Sequence, residues 1–121
     1  AANTVPVSDA NGKLNGWINN GLTTQDNATG KRSYGVVYQN TTGKVMYISV
    51  GNSNSGGCFV ALTAYCDASS SPSAVVANLG LTASGPNFSG GLFFIVLPGY
   101  YYKVVSGGQC PNNLWYWVEW Y

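Results

Sequence analysis

The chain has 121 residues, of which 45% are hydrophobic and only 7% charged, with a formal net charge of +1 and no histidine. That length suits a single domain, and a charged fraction so far below the roughly 25% of ordinary domains leaves Asn, Ser, Thr and Gly to cover the surface. Lys13, Lys31, Arg32, Lys44 and Lys103 form no basic stripe, so no nucleic-acid partner is expected, and no run of roughly 18 apolar residues is present to insert into a membrane as a helix.

Residues 1–32 are polar, rich in Asn and punctuated only briefly by Val5, Val7, Leu14, Trp17, Ile18 and Leu22. The Asn-Gly pairs between them favour turns. This stretch reads as a shaft-like linker and N-terminal extension unable to bury a core of its own, with the boundary near Lys31-Arg32. The opening Ala1-Ala2-Asn3-Thr4 does not read as a signal peptide, and the chain is expected to be soluble.

From residue 33 onward, β-branched and aromatic residues recur in short runs bounded by Gly, Pro, Asn or Ser. Strands are predicted over 34–39, 44–50, 58–66, 74–79, 92–97, 100–106 and 114–121, and no run has helical periodicity. Loops are predicted over 51–57 and 66–72. The segment 40–43 and the pair Pro98-Gly99 are expected to close hairpins. Seven strands without helical crossovers predict an all-β, antiparallel two-sheet sandwich or jelly-roll.

Strict alternation in the last strand places Leu114, Tyr116, Val118 and Trp120 on one face and Trp115, Trp117, Glu119 and Tyr121 on the other. Rings on both faces are compatible with a core strand carrying a few partly covered aromatics, with a subunit interface, or with a ligand platform. Tyr100-Tyr101-Tyr102 raises the same question, because alternation sends at least one ring to the opposite face. A tyrosine ring can pack while its hydroxyl reaches water or a partner.

Catalytic chemistry finds little support. Without histidine, Ser-His-Asp and Cys-His arrangements are absent. A glycosidase needs two carboxylates about 5 to 10 Å apart, and Asp9 and Asp26 fall outside the strand domain, leaving Asp67 beside a Ser-rich loop and Glu119 between aromatics. Glu119 is expected at the rim, paired with a lysine across a strand or subunit contact. Ser55-Gly56-Gly57 and Ser89-Gly90-Gly91 lack the lysine and helix of a phosphate cradle and read as turns flanking strands. No Asp-x-Asp run suggests calcium. Cys58, Cys66 and Cys110 cannot all pair within one chain; Cys58 and Cys66, in one extended run, are too far apart to bridge, so only Cys110 could pair with either, and without histidine the three suggest buried reduced thiols rather than a metal site. No cofactor is implied. Asn27, Asn40 and Asn87 begin glycosylation sequons, as chance produces in so Asn- and Thr-rich a chain.

Several segments resemble phage tail fibres. Pro6-Val7-Ser8-Asp9-Ala10-Asn11-Gly12-Lys13-Leu14-Asn15-Gly16-Trp17-Ile18 is similar to the linker near their ends. Residues 38–50, which begin Tyr38-Gln39-Asn40-Thr41-Thr42-Gly43-Lys44, residues 94–104, which centre on Pro98-Gly99, and the closing Trp117-Val118-Glu119-Trp120 resemble their terminal β-domains in the same order. The resemblance implies a homotrimer at the distal tip of a virion's tail fibre, assembled in the host cytoplasm. It also implies a non-catalytic, receptor-binding adhesion role in host attachment, adsorbing to a bacterial cell-surface glycan or outer-membrane receptor. Trimerisation would bury the second aromatic face of the last strand. A saccharide would meet stacking rings and Asn side chains, for which Tyr100, Tyr101, Trp115, Trp117, Asn112 and Asn113 are the candidate residues. A monomeric secreted lectin-like domain and a purely structural trimerisation cap are the competing readings.

Overall fold

The computed structural model describes residues 21–55, 60–81, 87–108 and 113–121. Asn112, Cys58, Cys110 and most of the expected linker, including the tail-fibre-like segment 6–18, lie outside the described residues.

The described residues form eight strands: β1 (Gln25–Asn27), β2 (Tyr38–Gln39), β3 (Met46–Ser55), β4 (Val60–Asp67), β5 (Val75–Leu81), β6 (Asn87–Val96), β7 (Tyr101–Gly108) and β8 (Asn113–Trp120). They form two antiparallel sheets of four, ordered β1-β8-β3-β6 and β2-β7-β4-β5. The pairs β1·β8, β2·β7, β3·β6 and β4·β5 are those of a long hairpin rolled onto itself, which is the jelly-roll arrangement. The expected all-β antiparallel sandwich is the observed architecture.

All seven predicted strands recur, with shifted ends, and β1 is added. Gln25-Asp26-Asn27 carries no strand propensity, yet it pairs with Val118, Glu119 and Trp120, and Ala28 beyond it is fully buried. The sandwich therefore takes in residues upstream of the boundary expected at 32.

Both predicted hairpins are instead crossings between the sheets. Residues 40–45 carry the chain from β2 to β3, and 97–100 carry it from β6 to β7. Asn40, only 1% exposed, ties the two crossings together. Its Nδ2 donates to the carbonyls of Lys44 (2.7 Å) and Val96 (3.0 Å), while its Oδ1 accepts from the Thr42 amide and hydroxyl. Its backbone exchanges hydrogen bonds with Tyr100 and Gly99 at 2.9 Å each. A side chain so enclosed is no glycosylation acceptor.

Alternation then builds the core. Met46, Ile48, Val50, Leu92, Phe94, Val96 and Trp117 from the first sheet meet Leu62, Ala64, Cys66, Tyr102 and Val104 from the second. Cys66 is a free, buried thiol whose pKa is raised by burial and by neighbouring Asp67. The ring of Tyr38 lies 5.8 Å from Tyr102 and 6.1 Å, edge-on, from Trp117.

Candidate functional site

The two outer faces differ in chemistry. That of the second sheet is mixed, with Thr63 and Asn78 hydrogen-bonded across strands and Lys103 over the Tyr65 ring. That of the first sheet carries no charged side chain among the described residues, and its register arranges it in four rows. Trp120, Tyr47 and Ile95 form the first; Val118, Ser49 and Phe93 the second; Tyr116, Gly51 and Gly91 the third; Asn113, Ser53 and Ser89 the fourth. Phe93 and Ile95 are about half exposed, at 54% and 47%, and Tyr47 stacks on Phe93 at 6.0 Å. Trp120 Nε1 donates to Gln25 Oε1 at 3.1 Å, which steadies the indole at the sheet's rim.

The third row is built by glycine. Gly51 and Gly91 pair across β3 and β6, and Tyr116 of β8 lies over both. A Cβ on Gly51 would run into Tyr116 Cε1 and Cζ, and one on Gly91 would come within 2.6 Å of the Tyr116 hydroxyl. Both glycines lie inside strands, not in the loop or turn their sequences suggested, because the ring replaces the side chains they lack.

A β-bulge adjoins this row. Gly51 pairs with Tyr116 and Asn52 with Leu114, so Trp115 is the extra residue on β8. The bulge resets the alternation expected for the last strand. Leu114 packs against the core, while Trp115 stays 58% exposed beside Tyr116, their ring centroids 5.6 Å apart and tilted by 60°.

The five candidate residues that are described do not form one cluster. Trp115 and Asn113 lie together on the outer face just described. Tyr100 and Tyr101 lie at the opposite end of the sandwich, where Tyr101 pairs with Asp67; the length of β7 separates the ends by roughly 23 Å at about 3.3 Å per residue. Trp117 has no exposed surface and belongs to the core. Alternation directs it inward with Glu119, so it presents no ring to a ligand. Sequence reasoning missed Tyr116, and with it Ser53 and Ser89, which the register sets beside Asn113.

Glu119 is not at the rim. It is 1% exposed, and its partner is an arginine. Arg32 Nη2 donates to Oε1 at 3.0 Å, and Arg32 Nε (3.2 Å), the Tyr102 hydroxyl (2.7 Å) and Trp117 Nε1 (3.0 Å) all donate to Oε2. The guanidinium also sits 4.5 Å from the centre of the Tyr38 ring. Burial works against the Arg32 charge, but the bond to Glu119 and the negative surroundings outweigh it and raise its pKa. Burial, and then the Glu119 charge, push the Tyr102 hydroxyl well above its usual range. With its oxygens turned inward and supplied with donors, this carboxylate is a structural anchor.

Asp67 is similarly occupied. It accepts from the amides of Ser69, Ser73 and Ala74 and shapes the loop 68–74. These amides lower its pKa, those of Ser73 and Ala74 most. Among the described residues no group of three or more His, Cys, Asp or Glu is placed to hold a metal.

Comparison with protein families, with curated proteins and with solved structures finds no match to this chain.

Proposed function

We propose that this chain is a non-catalytic adhesion domain, the receptor-binding tip of a phage tail fibre, which adsorbs as a homotrimer to a saccharide on the bacterial surface. The observation that carries the proposal is the outer face of the first sheet. Monomeric proteins rarely expose a broad contiguous apolar patch unless it is functional, and here Phe93, Ile95, Trp120 and Trp115 share one uncharged face. The three side-chain carboxylates among the described residues are engaged elsewhere: Asp26, which β1 brings into the sandwich, with Lys31, Asp67 with loop amides, and Glu119 with Arg32. A trimer gives the Phe93 and Ile95 end of that face a cover, and added interface stabilises a small domain by mass action. The polar end, with Asn113, Ser53 and Ser89, remains for a receptor. The sequence resemblance to fibre tips supports the same partner.

The test is adsorption of the fluorescently labelled chain to a panel of bacterial strains. Saturable binding to some strains, competed by their purified surface polysaccharide, is expected. Absence of binding to every strain, or binding that polysaccharide never competes, would overturn the saccharide-adhesion reading.

A further inference from the structure

The most constrained grouping on the surface is the corner formed by Trp115 and Tyr116. Glycine inside a strand costs roughly 0.5 to 1 kcal/mol relative to alanine, yet Gly51 and Gly91 stand side by side beneath one ring. Their effect is to let Tyr116 lie down on the sheet as a flat floor. Rescue of the bare glycines accounts for Tyr116 alone. It does not account for Trp115, which the bulge sets beside that floor, 58% exposed and tilted by 60° to it. Bulges recur where a side chain must be re-aimed.

Beyond the floor, the adjacent row supplies Asn113, Ser53 and Ser89, which are short, neutral donors and acceptors. A ring floor, a ring wall and an uncharged polar rim match one ligand chemistry. The C–H face of a pyranose packs on an aromatic ring, and its hydroxyls need directional bonds without a counter-charge. An acidic or basic sugar would find no opposite charge on the described part of this face.

We propose that Trp115 and Tyr116, laid over the Gly51–Gly91 pair, form a subsite for a neutral pyranose residue, with Asn113, Ser53 and Ser89 as its hydrogen-bonding rim. This deepens the saccharide reading above and rests on it.

The experiment titrates the ¹⁵N-labelled full chain with the methyl glycosides of glucose, galactose, mannose and N-acetylglucosamine, and with glucuronic acid. The readout is the indole N–H resonance of Trp115, identified by its loss in Trp115→Phe. At least one neutral glycoside is expected to shift that resonance, and glucuronic acid is expected to bind no better. Trp115→Ala should weaken binding, followed through backbone amides, by about tenfold, as loss of a stacked ring requires. Trp115→Phe should retain most of the affinity. Both variants should melt close to the wild type, since Trp115 is largely exposed. If no neutral glycoside perturbs Trp115, or if Trp115→Ala binds as well as the wild type, the subsite is overturned. If the chain adsorbs to bacteria and Trp115→Ala adsorbs equally, the subsite fails while the adhesion reading stands. If Trp115 responds to a glycoside but no strain is bound, the subsite stands and the adhesion reading fails.

Discussion

Replacing Arg32 with alanine should destabilise the domain by about 3 kcal/mol. Removing one partner of a buried ion pair typically costs 3 to 5 kcal/mol, because the remaining charge is left in a poorly solvating site. Here the Arg32 side chain is 24% exposed, and Glu119 keeps the hydroxyl of Tyr102 and the indole of Trp117 as donors, so the lower end of that range applies. One kcal/mol shifts the Tm of a domain this size by about 3 to 5 °C, between the values for smaller and larger domains. The melt should therefore fall by about 10 to 15 °C, read by calorimetry or near-ultraviolet circular dichroism. Arg32→Lys keeps the charge but loses the two-pronged contact and the planar approach to Tyr38, so it should fall between wild type and Arg32→Ala. A double-mutant cycle with Glu119→Gln should give a coupling of about 1 to 3 kcal/mol. An Arg32→Ala protein that melts within about 2 °C of the wild type would refute the claim that this pair anchors residues upstream of β2 to the sandwich.

Three further outcomes follow from single side chains. Asn40→Ala should cost about 2 to 3 kcal/mol in urea unfolding, because it strips bonds from the Lys44 and Val96 carbonyls within the crossings. Gly51→Ala should cost about 1 to 3 kcal/mol, as its methyl group forces Tyr116 off the sheet; the same titration monitors that tyrosine's ring resonances. Burial pushes the Tyr34 hydroxyl up to about 12, from an ordinary value of 10.0. Burial penalises the phenolate rather than rewarding the neutral hydroxyl, so this group leaves stability flat below pH 10 and lowers it as pH climbs from 10 toward 12, where the unfolded chain releases the proton more readily than the folded one. The Tyr34 hydroxyl is buried without a hydrogen-bond partner among the described residues, so Tyr34→Phe should leave neutral-pH stability unchanged or higher. It should also flatten the alkaline decline, with Tyr102 supplying the remainder. Equal alkaline slopes in stability-against-pH curves for the two proteins would contradict this.

The strand content was legible because β-branched and aromatic runs bounded by Gly, Pro and Asn report local backbone preference. The connections were not. A turn at 40–43 or at Pro98-Gly99 has the same composition whether the chain returns to a neighbouring strand or crosses to the other sheet. The choice is made by Asn40 reaching a carbonyl 56 residues away, which no local pattern encodes. β1 was invisible for a related reason: three polar residues become a strand because β8 offers them a free edge.

The same division runs through the site. Exposed aromatics near the end of the chain pointed to Trp115 and Asn113, and both lie on the uncharged outer face. Alternation, however, carries no marker for a bulge, so Leu114 and Trp115 exchanged faces. Gly51 and Gly91 read as loop and turn because glycine signals both flexibility and close approach, and only the ring above them tells the two apart. Glu119 could be placed on the same face as Trp117 from its spacing. Its bonding to Arg32, 87 residues upstream, could not.

The native mass of the chain, measured by light scattering beside the variants Phe93→Ser and Ile95→Ser, tests most directly whether the outer face of the first sheet is a contact surface. The expected wild-type mass is three times the 12.8 kDa of one chain. Both variants should fall toward a single chain's mass, with circular dichroism unchanged because these two side chains lie outside the core. A wild-type monomer, or a trimer that both substitutions leave intact, would show that this face is not the contact surface.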